Sequence, residues 1–166
     1  MKTIILPGFS VSNKEWIESL KKNLGMSHLV ESIDWEHWKF GGGLKLKKEM
    51  EKIDKIIGKE RFNIIAKSVG TMIALKVIDK YKKQVNKVIL CGIPTISNKR
   101  LDMFKSSIKY FDHNNIICFQ NSLDPFVSFK DLKLKINKID NKIIIVEKIA
   151  KNHDYYYAED FQKFLV

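Results

Sequence analysis

The sequence predicts a doubly wound α/β fold, a six-stranded, mainly parallel sheet with helices on both faces, on three observations. Six short apolar runs are spaced along the chain, most of them near-continuous. Segments with apolar residues at helical spacing separate them. The two kinds of segment alternate strictly, as parallel strands joined by right-handed crossovers require.

The first strand falls at 3–6 and runs into Leu6-Pro7-Gly8. Trp16, Ile17, Leu20 and Leu24 then form a helical stripe, and Ser12 and Glu15 have the spacing of a capping box at its start. The second strand, 29–33, carries Glu31 and Ser32 and, as the least apolar, suits an edge. A loop at 34–43, rich in aromatic residues and glycine, follows it. Leu46, Met50, Ile53 and Ile57 make a second stripe, before a strand at 62–66. Ala74, Val77, Ile78, Tyr81 and Val85 make a third, before a strand at 87–91. Leu101, Phe104, Ile108 and Phe111 repeat the pattern ahead of a strand at 115–119. A short helix near 129–138 links it to the last strand, 142–147, and Tyr157, Phe161 and Phe164 mark a final helix. The unbroken runs at 88–91 and 143–146 predict strands covered on both faces.

The 166 residues, 45% of them hydrophobic, suffice for one domain, expected over 1–166 without a boundary. The apolar run at the N-terminus is too short for a signal peptide, and no segment has the eighteen apolar residues of a membrane span. Cys91 and Cys118 each sit in an apolar run and read as core thiols, which fits a reducing, cytoplasmic setting. Net charge is +11, from 30 Lys and Arg against 19 Asp and Glu. The lysines are spread over several helices and mixed with acids, as at 45–59, which describes a solvated face better than a specific nucleic-acid surface.

Candidate chemistry follows the strands directly, at the carboxyl edge where such sheets bind ligands. Residues 63–70 read Asn-Ile-Ile-Ala-Lys-Ser-Val-Gly, and a helix pattern begins at once. A serine with small residues two positions either side, Ala66 and Gly70, suits a sharp, strained strand-to-helix turn that exposes its hydroxyl. A serine capping a helix produces the same local pattern, so the rest of the chain has to decide. After the fifth strand comes Leu123-Asp124-Pro125-Phe126-Val127, and after the sixth Asn152-His153-Asp154. Of the other acids nearby, Asp112 precedes its strand, Asp131 falls within the linking helix, and Asp154 is placed to cap the final helix.

Together these segments resemble the α/β-hydrolase superfamily, in the form of a small, lidless serine esterase. Residues 66–70 resemble its nucleophile elbow, 123–127 its acid loop and 152–153 its histidine loop. Leu6-Pro7-Gly8-Phe9-Ser10, with Trp16 downstream, is similar to its oxyanion loop. Ala66 departs from the usual glycine by one methyl group. The resemblance covers essentially the whole chain and implies a strand order of 2-1-3-4-5-6. It implies Ser68 as nucleophile, His153 as base and Asp124 as its partner, in the order Ser, Asp, His, with the backbone N–H groups of Phe9 and Val69 holding an oxyanion. No metal or other cofactor is required. Residues 94–114 hold one helix where larger members insert a cap, so small carboxylic esters or thioesters are the expected substrates.

Trp35 and Trp38, in the 34–43 loop, either line a substrate pocket or pack over the sheet edge. Lys67 either receives an anionic group of the substrate or faces solvent. His28, His37 and His113 lack metal-ligand spacing. A non-catalytic binding module on the same scaffold is the alternative, and a basic nucleic-acid-binding α/β protein a weaker one.

Overall fold

Each apolar run becomes a strand and each helical stripe a helix. The computed structural model describes residues 1–25, 29–109 and 111–166; His28 lies outside them. In chain order the elements are β1 (Lys2–Leu6), α1 (Asn13–Asn23), β2 (Val30–Ser32), α2 (His37–Phe40), α3 (Leu46–Ile57), β3 (Phe62–Lys67) and α4 (Val69–Tyr81). They continue as β4 (Val85–Cys91), α5 (Asn98–Ile108), a 3₁₀ turn at His113–Asn115, β5 (Ile116–Asn121), α6 (Phe129–Asn137), β6 (Ile144–Lys148) and α7 (Ala158–Leu165). The six strands form one sheet in the order β2-β1-β3-β4-β5-β6, every pair parallel.

Alternation along the strands divides the core in two. Ile4, Leu6, Ile64, Ala66, Val88 and Leu90 point to one face, where α3, α4, α5 and α6 bury Ile53, Val77, Phe104 and Leu132 against them. Ile5, Ile65, Ile89, Cys91 and Phe119 point to the other, under Trp16 and Leu20 of α1 and Phe161 of α7. Among the described residues no helix is long and apolar enough to cross a membrane.

The structure departs from the sequence reading at several boundaries. Val85 opens β4 rather than closing the α4 stripe, and Phe111 lies beyond the end of α5. The 34–43 loop contains the one-turn helix α2. Ser12 and Glu15 form no capping box, because Ser12 is itself in helical conformation and its hydroxyl pairs with that of Ser10. The first N–H groups of α1 are met instead by tight turns, Asn13 to Ser10, Lys14 to Val11 and Glu15 to Ser12. β6 is an edge strand with Ile144 half exposed, so the run at 143–146 is not covered on both faces.

Candidate active site

β3 delivers the chain to Ser68 at φ 53°, the one non-glycine residue with positive φ among those described. A side chain in that region costs about 1–3 kcal/mol, so the surroundings must hold it there. They do so from both sides. Ser68 N–H donates to the Cys91 carbonyl, while the Ser68 carbonyl accepts from the N–H (2.9 Å) and hydroxyl (2.6 Å) of Thr71. Two residues on, a Cβ on Gly70 would sit 2.1 Å from the Leu6 carbonyl oxygen and 2.7 Å from that of Pro7. Glycine at 70 is therefore what lets α4 start against the end of β1. Gly70→Val is expected to destabilise by about 3 kcal/mol or more, a drop in Tm of roughly 10 °C. A Gly70→Val protein that melts like the parent would mean that this contact does not constrain the turn.

Asp124 lies in the turn after β5 and is 5% exposed. Its Oδ1 accepts from the Phe126 N–H (2.9 Å) and, more distantly, from the Val127 N–H (3.4 Å). Its Oδ2 accepts from His153 Nδ1 (2.6 Å) and from the Tyr155 hydroxyl (2.7 Å). Burial works to raise the Asp124 pKa, but the hydrogen bonds from His153, Tyr155 and the Phe126 N–H outweigh it and hold the carboxyl below its usual range. An ionised carboxylate only accepts, so His153 carries its proton on Nδ1 and leaves the lone pair on Nε2. His153 Nε2 is buried without a hydrogen-bond partner, and its ring borders the same cleft as Ser68.

The rival acids are occupied elsewhere. Asp112 accepts from the Asn114 N–H at the 3₁₀ turn, and Asp131 accepts from the Ser128 hydroxyl at the start of α6. Asp154 does not cap the final helix, which begins four residues later behind Tyr157; it lies exposed on the rim of the cleft. The buried thiols are poor nucleophiles here, since burial pushes Cys118 up to about 12 and Cys91 higher still.

The loop after β1 is held by side chains from the segment after β2. Trp35 is fully buried, and its Nε1–H reaches the carbonyls of Pro7 (3.2 Å) and Gly8 (3.0 Å). Because the peptide is trans, a Gly8 carbonyl turned toward Trp35 sends the Phe9 N–H the opposite way. Trp38 Nε1 and His37 Nε2 each donate to the Phe9 carbonyl at 2.7 Å. Trp35 and Trp38 thus pack over the sheet edge as supports of this loop, and neither borders the cleft. The Val69 N–H is the first of α4 and has no intrahelical acceptor.

Lys67 does not face solvent. It is 6% exposed, borders the cleft, and sets its ammonium 5.5 Å from the centre of the Trp16 ring. The cleft holds about 380 Å³, with exposed Phe9 and Phe126 on its rim. Among the described residues no group of three or more His, Cys, Asp or Glu side chains is arranged to hold a metal.

Two contributors escaped the sequence reading. Tyr155, fully buried, receives the Asn121 N–H on its hydroxyl and donates to Asp124; burial, and then that donation, push its phenol pKa up. Gly92, at φ +60°, stands where a Cβ would come within 2.6 Å of the Tyr155 ring and 2.7 Å of the His153 ring. The Gly92-Ile93-Pro94 turn after β4 and the three tyrosines after His153 were the available signals.

A family model described as serine hydrolase matches residues 3–152. A search of curated proteins finds no match. Among solved structures, the chain is similar to an alpha-beta serine hydrolase homologue from Coxiella burnetii, at 17% identity and a TM-score of 0.70, covering 99% of this chain and 83% of that one. The ydeN gene product of Bacillus subtilis matches at 17% identity and a TM-score of 0.61, covering 92% and 87%. A pyrethroid hydrolase from Sphingobium faniae matches at 9% identity and a TM-score of 0.72, covering 99% and 95%.

Proposed function

This chain belongs to the serine hydrolase family, and we propose that it cleaves small carboxylic esters or thioesters through an acyl-enzyme on Ser68. The observation that carries the reading is the Asp124–His153 hydrogen bond of 2.6 Å, which leaves His153 Nε2 buried and unpartnered at the cleft that strained Ser68 also borders. Ser68 Oγ attacks the carbonyl carbon as His153 Nε2 takes its proton. The tetrahedral oxyanion is held by the N–H groups of Val69 and Phe9, each such donor being typically worth about 10²–10³ in rate. Collapse breaks the bond to the leaving group, which takes the proton back from His153. Water, deprotonated by the same nitrogen, then releases the acid and restores Ser68. Asp124 remains ionised throughout, holding the imidazole and stabilising its cation.

The open cleft supports the substrate size: between β4 and β5 the described residues form only α5 and one 3₁₀ turn, and none of them lines the cleft. Cys91 and Cys118 are free thiols, in keeping with the cytoplasmic setting we propose. A fluorophosphonate probe is expected to label the protein at Ser68, and p-nitrophenyl acetate and butyrate to be turned over below their solubility limit. Absence of labelling would remove the serine mechanism. A steep rise in activity only when substrate passes into micelles would remove the small-ester reading.

A further inference from the structure

Lys67 stands immediately before the proposed nucleophile, and its side chain is buried in the wall of the cleft with the ammonium over the face of Trp16. Burying such a charge is costly unless an opposite charge or hydrogen bonds match it. Among the described residues the other buried charges are matched at short range. Asp124 takes four donors, and Glu49 accepts from the Glu36 N–H at 2.7 Å and pairs with Lys52 at 3.1 Å. Lys67 has no such match: among the described residues, no carboxylate comes within salt-bridge distance of its Nζ and no acceptor takes a hydrogen bond from it. Its compensation is the face of Trp16 and the more distant charges of Asp154 and Asp124. Three donors on a charged nitrogen therefore border the space that a substrate of Ser68 must enter.

We propose that Lys67 makes this site selective for esters that carry a carboxylate on the acyl chain, the ammonium pairing with that carboxylate while Ser68 attacks the ester carbonyl. The inference rests on Ser68 as nucleophile and adds the substrate class. A single carboxylate suits a single ammonium. A phosphate dianion would need more cations than the cleft supplies and would meet the Asp154 carboxylate on the rim. The charge of +11 draws anions to the protein at large, and Lys67 gives that attraction a fixed end point beside the reacting serine. Asp154 competes with the incoming group for Lys67, so it moderates the preference.

The test compares p-nitrophenyl hemiesters of glutarate and adipate with p-nitrophenyl pentanoate and hexanoate, each rate divided by its uncatalysed rate. The parent protein is expected to favour the hemiesters in kcat/KM. Lys67→Met, which keeps the unbranched apolar stem and removes the charged nitrogen, should cut kcat/KM for the hemiesters about 10–100-fold more than for the neutral esters, the range of a charge-assisted hydrogen bond. Lys67→Arg should restore part of the preference, and Asp154→Asn should widen it. A parent protein that favours the neutral esters overturns the proposal without recourse to any variant, and so does a Lys67→Met protein in which both series fall alike. Fluorophosphonate labelling of the same samples separates the two ideas: a labelled protein without anion preference removes only the role of Lys67, and an unlabelled one removes the nucleophile and this proposal with it.

Discussion

Ser68→Ala is expected to lose fluorophosphonate labelling altogether and to lower kcat on short esters by about 10⁴-fold or more, with its fold intact. The hydroxyl is the only atom removed. Its hydrogen bonds to the rest of the protein run through the backbone, from Ser68 N–H to Cys91 and from Thr71 to the Ser68 carbonyl, and alanine keeps them all. The backbone strain at φ 53° also persists, since alanine carries the same Cβ. That strain gives the experiment an internal control. Ser68→Gly should be equally inactive yet melt about 2–4 °C above Ser68→Ala, a gain of about 1 kcal/mol from relief of the positive φ. Labelling that survives in Ser68→Ala would place the reactive group elsewhere. Equal melting of the two variants would mean that the turn is not strained.

The second large effect is expected at the acid: Asp124→Asn lowers kcat by roughly 10⁴. Asparagine keeps an oxygen for the Phe126 and Val127 N–H groups but turns an NH₂ toward His153 Nδ1, which must then accept. The imidazole responds by carrying its proton on Nε2, the nitrogen that has to receive one from Ser68. Stability should fall by only about 1 kcal/mol, because the Tyr155 hydroxyl can reorient. The pH dependence separates this loss from a general one. Asp124 is held below its usual range in the folded protein, so its contribution is present at neutral pH and disappears as pH falls through that depressed value. The gap in melting temperature between parent and Asp124→Asn should accordingly narrow in acid. Asp131→Asn should stay near the parent in activity, since Asp131 only meets Ser128 at the start of α6. An active Asp124→Asn beside an inactive Asp131→Asn would reassign the acid.

What could be read in advance follows from how local each feature is. Parallel strands covered on both faces leave unbroken apolar runs, so β3 and β4 are visible in the sequence, and the order of the sheet followed from the family resemblance. Ser68, Asp124 and His153 were legible as candidates because each follows such a run directly. Features made by two distant segments were not. Tyr155 acts on Asp124 only because the histidine loop folds back under the end of β5, and Gly92 matters only because that loop then presses on the end of β4. The burial of Lys67 depends on Trp16, fifty-one positions earlier, covering it. Trp35 read as a possible pocket wall because its composition suits one; its indole N–H, directed to the Pro7 and Gly8 carbonyls, makes it a strut. The capping box failed for the opposite reason: the motif is local, but the Ser10–Ser12 turn claims the hydroxyl first.

The three tryptophans of the chain share a property with a practical consequence. Each gives its indole N–H to a backbone carbonyl in the frame of the cleft: Trp16 to Tyr155, Trp35 to Pro7 and Gly8, and Trp38 to Phe9. None is spent on a remote part of the molecule, so the intrinsic emission of the protein carries almost no background from elsewhere. Light absorbed near 295 nm is therefore collected by the frame of the cleft itself. On the mechanism proposed above, a shift in emission on mixing with an ester is expected as the acyl group arrives at Ser68, read in real time and without an attached dye.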